Sequence, residues 1–140
     1  MINQLSLFLQ NEKGRLAAAS RALTEAEINM HAMVLADTQD FGVVRIICDF
    51  PEKAASILAG AGYRASVTPV IGVKVPNRPG GLASLLEYCD QCGLNIEYGY
   101  CYSVNGEYAL EVLKVDSPEA EATLGDGGFE TVSADEVYDY

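Results

Sequence analysis

Slid against itself by 66 residues, the sequence repeats, and a chain made of two copies of one unit can adopt only a fold whose unit has about that length. Under that shift Asn11, Gly14, Leu16 and Ala17 fall on Asn77, Gly80, Leu82 and Ala83, Asn29 falls on Asn95, and Gly62 falls on Gly128. Apolar character carries over where identity does not: Leu5, Leu7 and Leu9 lie over Ile71, Val73 and Val75, Ile28 over Leu94, Ile46 over Val112 and Tyr63 over Phe129. With one inserted residue, Asp49-Phe50-Pro51-Glu52 also lies over Asp116-Ser117-Pro118-Glu119. Chance seldom matches two turn motifs in register, so the chain reads as two similar domains, residues 1–68 and 69–140.

Residues 5–9 and 71–75 alternate with a period near two, so each unit opens with a strand. A polar turn closed by glycine follows, then apolar residues at helical spacing: Leu16, Ala19, Leu23 and Ala26 in one copy, Leu82, Leu85, Leu86, Cys89 and Cys92 in the other. Residues 29–36 and 95–103 are rich in β-formers, as are 43–50 and 108–115, and Asp40-Phe41-Gly42 and Asn105-Gly106 between them are hairpin turns. Pro51 and Pro118 then stand at the first turn of a second helix, with Ser117 as a candidate N-cap. Residues 63–68 and 129–133 supply closing strands, and the acidic tail from Asp135 either frays or extends the last strand. The order is strand, helix, strand, strand, helix, strand, twice over, which is an α+β, ferredoxin-like arrangement with helices on one face of an antiparallel sheet. Val67-Thr68-Pro69-Val70 passes from one strand pattern to the next without a linker.

The strand at 30–35 is apolar on both sides, with Met30, Ala32 and Val34 on one and Met33 and Leu35 on the other. Helices cover one side only, so a partner sheet from a second chain is the simplest cover and a homodimer is expected. Twenty acids against nine bases leave a net charge of −11, and the halves share it unequally: seven acids and six bases before residue 69, thirteen acids and three bases after it. That charge opposes phosphate backbones, which argues against nucleic acid as a partner, including for the Tyr98, Tyr100 and Tyr102 stripe that could otherwise stack RNA bases. Neither a membrane-length apolar run nor a secretory N-terminus is present, so no membrane association and a cytoplasmic location are expected.

The turns after the first strands carry the chemistry. Asn77-Arg78-Pro79-Gly80-Gly81-Leu82 delivers the chain into a helix N-terminus, whose leading N–H groups lack intrahelical partners and favour an anion such as a carboxylate. Glycines 80 and 81 leave room for close approach, and the Asn77 amide can donate or accept, which suits an ammonium beside the carboxylate. Asn11, Gly14, Arg15 and Leu16 repeat the pattern with Arg15 in place of the second glycine. The same residues also simply build a turn and cap a helix in many proteins, but their duplication, with Asn29 and Asn95 matched at the next strands, favours a site.

N-x-x-G-x-L in both halves, with N-R-P-G-G-L-A at 77–83 and G-L-N-I at 93–96, resembles the ACT domain, a small ferredoxin-like regulatory module that binds amino acids. The resemblance covers essentially the whole chain as two tandem copies. It implies that ACT domains pair through their sheets and hold an amino acid at the seam, with Asn11 to Leu16 facing Asn95 and Ile96, and Asn77 to Leu82 facing Asn29 and Met30. Lys13 and Arg15 depart from the glycine-rich pattern and make the second turn the better candidate. Many such modules regulate an enzyme, so a metabolic enzyme is a candidate partner.

Catalysis has little support. His31 is the single histidine and sits in an apolar strand pattern, and Cys89-Asp90-Gln91-Cys92 lacks a second pair that would complete a zinc or redox site, so both thiols are read as core residues. No metal or other cofactor is called for, and the four cysteines are too sparse for a disulfide scaffold. The expectation is a non-enzymatic sensor of a free amino acid, with a ligand-free oligomerisation or protein-interaction module as the alternative.

Overall fold

In a computed structural model, residues 1–10, 12–37 and 41–137 are described; Asn11, Thr38 to Asp40 and Tyr138 to Tyr140 lie outside them, and Phe41 and Gly42, expected in the first hairpin turn, are instead strand residues paired with Gln10 and Leu9. The chain divides into two compact units, Asn3–Thr68 and Met1–Ile2 with Pro69–Tyr140, called here the N-terminal and C-terminal units. The first contains β1 (Ile2–Gln10) from Asn3 onward, α1 (Arg15–Glu25), β2 (Met30–Asp37), β3 (Phe41–Cys48) and α2 (Pro51–Gly60). β4 (Arg64–Pro76) runs on without a break across the boundary, as the absence of a linker at 67–70 implies. The second continues with α3 (Gly81–Gln91), β5 (Ile96–Asn105), β6 (Tyr108–Val115), α4 (Ala120–Asp126), β7 (Glu130–Val132) and a short α5 (Ala134–Val137). Both units are ferredoxin-like βαββαβ folds.

The pairings are antiparallel: β2 with β3 and β3 with β1 in the first unit, β5 with β6, β6 with β4 and β4 with β7 in the second. Alternation along each strand then sorts side chains to two faces. Leu5, Leu7, Leu9, Val44 and Ile46 meet Ala19 and Leu23 of α1 and Ala54 and Leu58 of α2 in one core. Ile71, Val73, Val75 and Leu113 meet Leu85 and Cys89 of α3 and Ala120 and Leu124 of α4 in the other. Each fully buried aliphatic side chain contributes about 1.5–3 kcal/mol, which lets units this small keep short helices in place.

Several local expectations are corrected. β2 carries a register shift between Met30 and Ala32, so Met30 turns to the helix side with Met33 and Leu35, away from Ala32 and Val34. β5 repeats that shift between Ile96 and Tyr98, and has a second between Cys101 and Ser103. This second bulge is the inserted residue of the repeat, so Ile46, which pairs with Leu5, corresponds to Leu113, which pairs with Ile71, and not to Val112. α4 begins at Ala120 rather than at Pro118, because one residue fewer separates the proline from the first buried alanine than in Pro51-Glu52-Lys53-Ala54; the Ser117 hydroxyl instead accepts the Glu119 N–H at 3.3 Å in the preceding turn. On α3 only Gly81, Leu85 and Cys89 are buried, while Leu82 and Leu86, about 100° around the helix, stay 43% and 41% exposed, and Cys92 is exposed at the C-cap. The tail neither frays at once nor continues β7: it forms α5, with Glu136 accepting the Ser133 N–H at 2.7 Å and Ser133 Oγ accepting the Glu136 N–H at 3.3 Å.

Gly72 shows how tightly the C-terminal sheet is packed, since a Cβ there would lie 2.5 Å from Val132 Cγ2 and 2.7 Å from Ile2 Cδ1. Gly72→Ala is therefore expected to destabilise the protein by about 1–3 kcal/mol, read as a lowered urea midpoint at unchanged m-value.

Candidate functional site

The two strand-to-helix turns have the same backbone. Glu12 N–H donates to the Gln10 carbonyl at 2.7 Å and Arg15 N–H to the Glu12 carbonyl at 3.3 Å; Arg78 N–H donates to the Pro76 carbonyl at 3.0 Å and Gly81 N–H to the Arg78 carbonyl at 3.0 Å. The N-cap glycines, Gly14 and Gly80, have φ of 87° and 90°, a left-handed conformation that side chains resist, and neither helix receives a side-chain cap. The Gly81 amide is thus consumed inside the turn, and the following amides of the first helical turn are the ones left for a ligand.

The turns part at the next position. A Cβ on Gly81 would collide with the Pro76 carbonyl oxygen, so glycine is required there. Its counterpart Arg15 has a longer closing bond, consistent with the room a Cβ needs, and its guanidinium folds back to Gln10 Oε1 at 3.0 Å and to Glu12 Oε2 at 3.4 Å. The first turn is spanned by its own arginine and the second stays bare.

In the C-terminal unit, Arg78, Pro79, Gly80 and Gly81 line a cavity of about 520 Å³ together with Lys74, Tyr108, Phe129 and Glu130. Lys74 Nζ lies 3.7 Å from Glu130 Oε2 and 4.4 Å from the centre of the Tyr108 ring, so both signs of charge and an aromatic wall face one space. Lys74, Tyr108, Phe129 and Glu130 escaped the sequence reading. The available signal was Lys74 itself, a charge within the apolar run Ile71–Val75; Phe129 and Glu130 arrive from the far end of the repeat.

The other expected residues fall elsewhere. Asn77 is tied to the β5–β6 hairpin, its N–H to the Glu107 carbonyl at 2.6 Å and its Nδ2 to the Gly106 carbonyl at 3.4 Å, and it does not line the cavity. Asn29 and Asn95 act through their carbonyls, which accept the Asp49 and Asp116 N–H groups at 3.1 and 3.3 Å, an equivalent pair of strand-end bonds. Ile96 packs against its own core. Gly14, Leu16 and Met30 share a second cavity of about 520 Å³, largely apolar, between α1 and β2, with Leu23 and Met33 in its wall. Arg15 lines a third, of about 450 Å³. Asn11 lies outside the described residues.

Burial, reinforced by Asp49 and Glu52, pushes the Cys48 thiol up to about 11, and burial also raises Cys89; thiols shifted in that direction are poor nucleophiles. His31 Nε2 is 2.9 Å from Asp49 Oδ1, where it ties the β2 bulge to the end of β3. Among the described residues, no group of three or more His, Cys, Asp or Glu side chains is arranged to hold a metal ion, and no helix is long and apolar enough to cross a membrane.

The sequence profile of the ACT domain pair matches residues 1–124. The chain belongs to the ACT domain pair family. Among solved structures, a protein from Bacteroides thetaiotaomicron superposes on this ACT pair with a TM-score of 0.91 at 31% identity, covering 99% of this chain and 96% of that one. The regulatory subunit of aspartate kinase from Thermus thermophilus, in its ligand-free form, superposes with a TM-score of 0.67 at 21% identity over 90% of each chain. That from Thermus flavus gives 0.65 at 21% identity over 88% of each. The last two likenesses concern the fold. No curated protein sequence matches.

In this ACT pair the second turn is the more constrained. Gly81→Ala is expected to destabilise the protein by about 3 kcal/mol, because a backbone carbonyl cannot rotate aside as a side chain can, whereas Arg15→Ala, which meets no such obstacle, should shift the thermal midpoint far less.

Proposed function

We propose that this ACT domain pair is a non-enzymatic regulatory protein that senses a free amino acid, bound at the Arg78–Gly81 turn of the C-terminal unit. The observation that carries the reading is the cavity there, in which the bare turn stands beside Lys74, Arg78 and Glu130. A zwitterion brings one charge of each sign, so its carboxylate is received by the Lys74 and Arg78 cations at the start of the helix while its ammonium meets the Glu130 carboxylate. Tyr108 and Phe129 give the ligand side chain an apolar wall. The aspartate kinase regulatory subunits with this fold support a regulatory role. Binding that favours one arrangement of the chain over another is how so small a ligand acquires an output. Assembly as a homodimer, a cytoplasmic location and a metabolic enzyme as the recipient of the signal belong to the same reading.

Thermal-shift measurements with each of the twenty amino acids test it. One or a few should stabilise the protein, by about 2.7 kcal/mol at a hundredfold excess over Kd. Glu130→Gln and Lys74→Met should weaken that stabilisation while leaving the far-ultraviolet circular dichroism unchanged. A flat panel would favour the alternative of an oligomerisation or protein-interaction module, for which the exposed Met33 and Leu35 of β2 are the available surface.

A further inference from the structure

The third cavity lies within the N-terminal unit and is the repeat counterpart of the proposed amino-acid site, but its chemistry is different. Phe8 stands where Lys74 stands in the other unit, Phe41 where Tyr108 stands, Tyr63 where Phe129 stands and Arg64 where Glu130 stands. In the C-terminal unit these positions hold one charge of each sign, Lys74 and Glu130. In the N-terminal unit the same two positions hold a ring and a cation, with the Arg64 guanidinium carbon 5.1 Å from the centre of the Phe8 ring. Arg64 has no carboxylate partner among the described residues, and no acidic side chain lines the cavity.

We infer that this cavity binds a small aromatic carboxylate. The Phe8 ring gives the guanidinium a cation–π contact, and its N–H donors remain for a forked pair of hydrogen bonds to a carboxylate. The second guanidinium nearby, Arg15, is already engaged by Gln10 and Glu12, so the site offers one strong anion contact rather than two. Phe8 and Phe41 are 39% and 52% exposed, and with Tyr63 they form the walls that a planar apolar body would cover. A volume of about 450 Å³ accommodates one ring and its head group. The site needs no ammonium on its ligand, which separates it from the proposed amino-acid site in the C-terminal unit.

The test is a titration of the ¹⁵N-labelled protein with phenylacetate, phenylacetamide and acetate, followed by amide chemical shifts. Phenylacetate should give saturable shifts centred on Phe8, Gln10, Arg15, Tyr63 and Arg64, with phenylacetamide and acetate binding at least about tenfold more weakly, the loss expected when a charge-assisted hydrogen bond or the ring is removed. Arg64→Met should reduce phenylacetate affinity by a similar factor, and Arg64→Lys, which keeps the charge but not the fork, should restore part of it. Because Arg64 is exposed, neither substitution removes a core contact. Phenylacetamide binding as tightly as phenylacetate, unchanged affinity in Arg64→Met, or shifts centred elsewhere would each overturn the assignment.

Discussion

The reversal that takes the first strand of each unit into its first helix is the constraint on which the rest depends. At Gln10–Arg15 and again at Pro76–Gly81 the chain turns back over two successive hydrogen bonds and a glycine held at φ near 90°. That reversal lays Ala19 and Leu23, or Leu85 and Cys89, against the strand just left, which closes the core of a unit too small to tolerate a loosely placed helix. It also turns the start of the helix toward a concave surface. A single local geometry therefore does two things: it packs the layer of helices and it supplies the bare amides and the cavity.

Duplication let that geometry be used twice with different side chains. Where the C-terminal unit places Gly81 against a carbonyl and sets Lys74 opposite Glu130, the N-terminal unit folds Arg15 back onto its own turn and sets Arg64 over the Phe8 ring. The bulges at the start of β2 and β5 were kept in both copies, each with a polar side-chain contact beside it, His31 Nε2 with Asp49 Oδ1 and Glu97 with Lys114. The backbone is shared and the chemistry is not.

The element order, the strand-to-helix turns and the continuous β4 were legible because strand alternation, helical spacing and punctuating glycines are local signals, and the repeat doubled each of them, whereas Phe41 and Gly42, read as a hairpin turn, belong to β3. What was not legible depends on register. A single residue inserted at the β5 bulge moves the counterpart of Ile46 from Val112 to Leu113, and one removed before Ala120 shortens α4 and strips Pro118 of its helical position. Met30 changes face for the same reason. At the site, the turn Arg78–Gly81 was visible as a motif, but Lys74, Tyr108, Phe129 and Glu130 meet it only through the fold, and Asn77, chosen for its amide, spends that amide on the neighbouring hairpin.

The bare turn of the C-terminal unit, with charges of both signs around it, is the proposed receptor for a zwitterion. Amide chemical-shift mapping with pooled amino acids locates such a ligand without assuming its identity. Saturable shifts should cluster at Lys74, Arg78, Gly80, Gly81, Tyr108, Phe129 and Glu130. Shifts centred on the apolar cavity of Leu16, Met30 and Met33 instead, or none at millimolar amino acid, would contradict it.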